Sequence, residues 1–193
     1  MINMAKILKR SRCNGHGTRF VLWVQGCNKR CVGCFNPHYQ QHTENMLMSV
    51  KTLLSEVLST PGIDGITISG GEPMLQAKEL SELAKAVQSA GLSVLVFTGY
   101  SEMRLDETKN ADIEALMNNS DMIIAGEYNP DYPSEIPMIG SSNQTVINIT
   151  GRLPDPSEDN IPRVEVICEG KTISLSGFPT DAERESFNKQ FCQ

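Results

Sequence analysis

Cys27, Cys31 and Cys34 sit in the segment "GCNKRCVGCFNP", spaced C-x3-C-x2-C among residues that favour turns. Cysteine thiolates are metal ligands, and three of them on one short loop point to a metal or a cluster. Three readings compete. A structural zinc ion takes four protein ligands in a tetrahedron, and His38, four residues past Cys34, would complete a Cys3His set for a non-catalytic interaction module. A 4Fe-4S cube has four irons and usually takes four cysteines, so three would leave one iron open to a ligand that reacts there. In the last reading the cysteines are coincidental, which a third one in register makes the poorest of the three.

The elements that must position this loop follow from periodicity. Short β-branched runs alternate with amphipathic segments, the pattern of βαβ units and a parallel sheet. "RFVLWVQG" (19–26) reads as the strand that delivers the cysteines, and "SVKTLLSEVLST" (49–60) as a helix with Ser49 as N-cap and Pro61-Gly62 as its stop. "GITIS" (65–69) is a second strand, 76–91 a helix closed by Gly91, "SVLVFTG" a third strand, 111–118 a short helix and "DMIIAG" a fourth strand. "NQTVINIT" predicts a fifth strand. After a Pro-rich acidic loop, "RVEVICEGKTISLSGFP" predicts a hairpin, and the capping-box spacing of Thr180 and Glu183 predicts a last helix.

A complete eight-fold barrel takes about 250 residues. The fold class expected of 193 residues is therefore α/β, a partial TIM-like barrel: an open, curved parallel sheet with outer helices. Ligands in such sheets sit at the carboxyl ends of the strands. The cysteine loop, Gly70-Gly71-Glu72, Thr98-Gly99-Tyr100 and Gly126-Glu127 would gather there.

Composition narrows the partners. A net charge of −6 and a pI near 5.1 argue against nucleic acid, whose binding needs clustered Lys and Arg, and favour a small molecule or another protein. No stretch approaches the roughly eighteen apolar residues that span a bilayer, and "MINMAKILKRSRC" lacks a signal-peptide core. The expectation is a cytoplasmic protein with no membrane partner. In that reducing compartment the six cysteines do not make a disulfide framework. Cys13, Cys168 and Cys192 read as structural or incidental, and His16, His38 and His42 as loop or surface residues.

Two further blocks carry polar groups suited to a ligand. "SGGEP" follows a strand and precedes a helix, so its glycines can bring bare backbone near a ligand, or simply form a tight turn. "GSSNQ" offers Ser141, Asn143 and Gln144 on one loop, either as a polar turn or as a face for a ribose, a carboxylate or a partner's backbone.

Together these blocks resemble the radical S-adenosylmethionine (SAM) superfamily, of which C-x3-C-x2-C is the signature. Within it the chain is similar to the activating proteins of anaerobic (class III) ribonucleotide reductase. The likeness rests on "NGHGTRFVLWVQGCNKRCVGCFNP", "ISGGEP", "GEY" and "GSSNQTVI", spread over residues 14–147. Gly33 stands where many members have an aromatic residue, as in the reductase activases. Two residues depart from those activases: His16 interrupts their usual Gly-Pro-Gly, and Ile139 stands in place of an Arg often found before Gly-Ser-x-Asn-Gln.

The resemblance implies one radical SAM domain over 1–193, with its core at about 14–150 and a hairpin and helix at 151–193. It implies a 4Fe-4S cluster on Cys27, Cys31 and Cys34, and SAM chelated by the open iron through its amino and carboxylate groups. SAM would lie against Gly33 and Phe35 at the adenine and against Ser69, Gly70, Gly71 and Glu72 at the methionine amino group. Thr98, Ser141, Asn143 and Gln144 would contact SAM or the partner. No side chain is assigned a catalytic role beyond the cluster and SAM. One-electron cleavage of SAM would yield a 5'-deoxyadenosyl radical, which takes a hydrogen from a glycine of the large reductase subunit. A flavodoxin-like or ferredoxin-like protein would supply the electron. Another glycyl-radical enzyme, a peptide or a small molecule are the alternative targets within the superfamily.

Overall fold

The computed structural model describes residues 1–158, 160–170 and 172–191. The chain enters as β1 (Ile2–Ser11) and turns back as β2 (Arg19–Val24). After the cysteine loop come β3 (Met46–Met48), α1 (Val50–Ser59), β4 (Gly65–Gly70), α2 (Ala77–Ser89) and β5 (Ser93–Thr98). Then follow α3 (Glu102–Asp106), α4 (Ala111–Asn118), β6 (Met122–Ala125), β7 (Thr145–Asn148), the pair β8 (Val164–Glu169) and β9 (Thr172–Gly177), and α5 (Asp181–Phe191).

The main sheet has seven strands in the order β3-β1-β2-β4-β5-β6-β7. Its centre, β2-β4-β5-β6, is parallel, in agreement with the expected open α/β sheet. Its flanks differ from that expectation: β1 pairs antiparallel with both β2 and β3, and β7 antiparallel with β6. The physical reason at β7 is on the chain. A parallel return needs a crossover of a dozen or more residues, usually a helix, but Pro130, Pro133 and Pro137 interrupt the segment after β6. The strand therefore comes back alongside in the opposite sense.

Alternation along the strands sorts the side chains onto two faces. Phe20, Leu22 and Val24 of β2, Ile66 and Ile68 of β4 and Val94 and Val96 of β5 pack with Leu53, Leu80, Leu83, Val87 and Leu116 of the helices. The other face carries Leu95, Met122 and Ile124, covered by Met138, Ile139, Leu153 and Ile161 from the long loops, with Val21 and Trp23 packed beside Leu8 and Ile167. The hairpin β8-β9 thus lies over the face without helices.

Local signals account for the helix ends. The Ser49 hydroxyl accepts from Thr52 N–H at 3.0 Å, Gly91 has a left-handed φ of 85°, and Glu183 accepts from Thr180 N–H at 2.7 Å while Thr180 accepts from Glu183 N–H at 3.2 Å. No helix among the described residues is long and apolar enough to cross a membrane.

Candidate functional site

β2 ends at Val24 and releases the cysteine loop, which returns to its own base: Gly26 N–H donates to Tyr39 O at 2.8 Å and Cys27 N–H to Gln40 O at 3.2 Å. The turn after β4 is joined to the same base, Gly71 N–H donating to Val24 O at 2.7 Å and Glu72 N–H to Gly26 O at 2.8 Å. A Cβ at Gly71 would collide with the Gly26 carbonyl, so only glycine lets the two loops approach this closely. Gly33 holds φ at +69°, a left-handed conformation that turns the chain between Cys31 and Cys34.

Between these loops, the ends of β5 and β6, and the hairpin lies a cavity of about 290 Å³. Cys27, Cys31, Cys34, Phe35, Ser69, Gly70, Gly71, Glu72, Thr98 and Gln144 all line it. Gly33, Ser141 and Asn143 do not. Ser141 is buried and accepts from Asn129 N–H at 3.1 Å, while Asn143 donates to Glu127 O at 2.9 Å. Gln144 accepts from the N–H groups of Gly140 and Ser141 and donates to Gly126 O at 3.0 Å. The Gly-Ser-Ser-Asn-Gln block is a loop laced to the end of β6, with one face of Gln144 on the cavity.

Glu72 has no exposed surface. Its carboxylate accepts from Thr98 Oγ1 at 2.7 Å, Gly99 N–H at 2.8 Å and Met74 N–H at 2.9 Å, which ties the end of β5 to the turn after β4. Burial pushes its carboxyl above the usual range, against those three donors. Burial likewise pushes the Cys27 thiol up, opposed by the Lys29 N–H that donates to its sulfur at 3.3 Å, and the Cys31 thiol up, with Glu127 acting in the same direction.

Several lining residues escaped the sequence reading. Lys29 lies in the cysteine loop itself, ion-paired with Glu127 at 2.7 Å and over the Tyr100 ring at 5.1 Å. Phe97 and Phe178 meet at 5.6 Å between centroids, and Phe35 meets Tyr128 at 4.8 Å and Phe178 at 5.8 Å, which makes one wall aromatic. Lys29 and Tyr128 were in plain view, inside quoted motifs. Phe178 and Arg184 come from the hairpin and α5, where nothing local in the sequence announces a cavity.

His38 is exposed and does not line the cavity, while His16, read as a loop or surface residue, lies in the loop between β1 and β2 and is buried there. Among the described residues no group of three or more His, Cys, Asp or Glu is arranged to hold a single metal ion. A tetrahedral zinc site would draw its sulfurs to roughly 3.8 Å of one another. Three thiols that line one cavity together with the bare backbone of Gly70 and Gly71 offer the soft sulfur donors that suit an iron-sulfur group. Cys13 is buried and its thiol is pushed up to about 12 by burial, which leaves it an inert packing group under β9. Cys168 is exposed, and Cys192 lies outside the described residues.

A family model described as a 4Fe-4S single cluster domain matches residues 13–147, well over half of the chain. The chain belongs to that family. Its cofactor is accordingly a 4Fe-4S cluster, for which the thiol-lined cavity has the right donors. Among curated proteins, the 4Fe-4S single cluster chain is similar to the pyruvate formate-lyase-activating enzyme of Staphylococcus epidermidis (strain ATCC 12228 / FDA PCI 1200), 28% identical over 148 residues. The enzymes of the same name from Staphylococcus aureus strains USA300 and NCTC 8325 are also 28% identical. Each match covers 74% of this chain and 59% of the relative's length.

Proposed function

We propose that this protein is a radical SAM activase: it cleaves SAM reductively and installs a glycyl radical on a large partner protein, an anaerobic ribonucleotide reductase. The observation that carries the reading is the single cavity onto which Cys27, Cys31 and Cys34 open opposite the Gly70-Gly71 turn. The membership in a 4Fe-4S family and the similarity to activating enzymes support it.

In this proposal Cys27, Cys31 and Cys34 hold the 4Fe-4S cluster, and the absence of a fourth cysteine leaves room for SAM. When bound, the cluster and SAM together supply one-electron cleavage of the sulfonium C–S bond and hence a carbon radical able to take a hydrogen atom. The protein binds and orients. The backbone of Ser69, Gly70 and Gly71 faces the methionine end, since an ammonium requires acceptors, and Glu72 holds that turn rigid against Thr98 and Gly99. Gly33 sets the turn that presents Phe35 to the adenine, and Phe35, Phe97 and Phe178 keep water from that wall. Gln144 and the loop of Ser141 and Asn143 shape the rim that a partner's glycine loop would meet. One domain over the whole chain, a cytoplasmic setting and a flavodoxin-like or ferredoxin-like donor complete the reading.

The relatives' names favour a second target, pyruvate formate-lyase. Anaerobic incubation of the reduced, SAM-loaded protein with each candidate separates them by electron paramagnetic resonance. A glycyl-radical doublet on the reductase subunit is expected; a doublet on pyruvate formate-lyase alone would replace the reductase as target, and none on any protein would turn the reading toward a peptide or small-molecule substrate.

A further inference from the structure

The family match covers residues 13–147, yet the cavity reaches past it, to Lys6 of β1 and to Leu175 and Ser176 of β9. Lys6 stands opposite Trp23 in the β1-β2 pairing, and Trp23 opposite Ser69 in the β2-β4 pairing. These three residues form a row across three strands, and all of them line the cavity. Lys6 Nζ lies over the Trp23 ring, 5.7 Å from its centroid, and no carboxylate among the described residues pairs with it. The cavity's other cations are placed differently: Glu127 engages Lys29 at 2.7 Å, and Arg184 packs over Phe35. Beside Trp23, Tyr39 and Ile167 pack in the same cluster, so the indole is a fixed platform for the lysine.

An ammonium has three donors and no acceptor, and contact with an aromatic face satisfies none of the three. In a chain with 23 acidic and 17 basic residues, a half-buried lysine on a cavity with no described carboxylate beside it keeps its charge for an incoming anion. The row of strands gives the distance. Neighbouring strands lie about 4.8 Å apart, so Lys6 is about 10 Å from Ser69, whose turn the proposed function gives to the methionine end of SAM. A target glycine that enters this cavity brings a stretch of peptide with it. Glycine has no side chain to read, so recognition must fall on residues at its sides. An extended peptide advances about 3.3 Å per residue, and about three residues lead from the Ser69 side of the row to Lys6.

We propose that Lys6, stacked on Trp23, is a specificity-determining residue for the partner protein: it receives an acidic side chain about three residues from the target glycine. That the occupant is a glycine-containing peptide rests on the proposed function; the need for a carboxylate rests on the geometry at Lys6. Residues outside the family match then select the partner, and those inside it hold the cluster and its ligand.

Trp23 is the only tryptophan of the chain, so its fluorescence reports directly on a ligand at Lys6. The test titrates the anaerobically reconstituted, SAM-loaded and unreduced protein with acetyl-Glu-Ala-Ala-Gly-Ala-amide and acetyl-Ala-Gly-Ala-Ala-Glu-amide. These peptides place the acid three residues to either side of glycine, and their glutamine counterparts serve as controls. One of the two glutamate peptides should bind wild type about tenfold more tightly than its control, as a charge-assisted pair does. Lys6→Met should reduce that preference to less than about twofold, and Lys6→Arg should keep it; iron content and far-UV circular dichroism establish that each variant is loaded and folded. Absence of peptide binding, equal affinity for glutamate and glutamine peptides, or a preference that survives Lys6→Met would overturn the proposal. SAM is the other source of a carboxylate, and its affinity for Lys6→Met should stay within about twofold of wild type. A fall as large as that of the glutamate peptide would assign Lys6 to the cofactor and overturn the proposal too. All of these failures leave SAM cleavage, and with it the proposed function, standing. A protein that binds the glutamate peptide through Lys6 yet makes no 5'-deoxyadenosine would overturn the proposed function and leave the peptide subsite standing.

Discussion

The amino edge of the parallel strands buries Arg19 and Asp121, and the carboxyl edge buries Glu72. At the amino edge Arg19, with no exposed surface, donates to Ser93 Oγ at 2.6 Å, Ser93 O at 3.1 Å, Thr67 Oγ1 at 3.2 Å and His16 O at 3.4 Å, and also to Ile66 O. At the carboxyl edge Glu72 accepts from Thr98, Gly99 and Met74. Both residues lie in the blocks that carry the family resemblance, and each pins neighbouring strands together. Burial pulls the Arg19 guanidinium down to about 10 and pushes the Glu72 carboxyl up, as desolvation does to any charge. What separates them is what lies beyond. Arg19 sits beneath the loop of Asn14 and Gly15, whose carbonyl at Asn14 accepts from Thr67 at 2.8 Å, and does not line the cavity. Glu72 is one shell of atoms away from the cysteine loop. A motif residue at the amino edge therefore lies within the scaffold alone, and one at the carboxyl edge lies both in the scaffold and on the cavity.

The largest effect that would test this division is expected at Arg19. Arg19→Met strips donors from buried carbonyls of two strands and should cost about 3 kcal/mol or more, read as a fall in the urea midpoint. The fraction that remains folded should load iron and bind SAM as wild type does. Glu72→Gln should cost less, about 1–2 kcal/mol, because an amide offers one acceptor oxygen where three donors converge. Its SAM affinity should nevertheless fall further than that of Arg19→Met. If the two variants weaken SAM binding equally at equal folded fraction, the distinction between the edges is broken.

The smallest effect lies at α5, which brings Arg184 to the cavity. Hydrogen bonds from Thr180 hold the exposed Glu183 carboxyl below the usual carboxylate range. A depressed carboxyl contributes stability that is complete above its unfolded value, near 4.3, and is lost as pH falls through the folded one. Amide protection in the first turn of α5 should therefore decline as pH falls through and below the usual carboxylate range in wild type, and Glu183→Gln should flatten that decline. A decline equally steep in the variant would assign it to another group.

Much of the scaffold was legible because its signals are local. The helix over 111–118 appears as Ala111–Asn118, and the capping box of Thr180 and Glu183 forms as its spacing suggested. β1 was missed because Lys6, Lys9 and Arg10 interrupt its apolar pattern, although Ile2 and Met4 are fully buried. Its stability comes from pairing with β2 and β3, which no window of the sequence contains. The antiparallel return of β7 was readable in principle from the prolines before it. At the site, the cysteines and the Gly-Gly turn stood out because their residue types are rare in that spacing. The wall made by Phe178 and Arg184 did not, since a phenylalanine and an arginine acquire meaning only once tertiary contacts set them against Phe35.

The central claim is that the three cysteines of one loop hold a cluster for SAM cleavage. Reconstitution with iron and sulfide, followed by dithionite and SAM, with 5'-deoxyadenosine as the readout, tests it most directly. Wild type should produce 5'-deoxyadenosine and Cys31→Ala should produce essentially none. A wild type that makes none, or a Cys31→Ala yield equal to wild type, would contradict it.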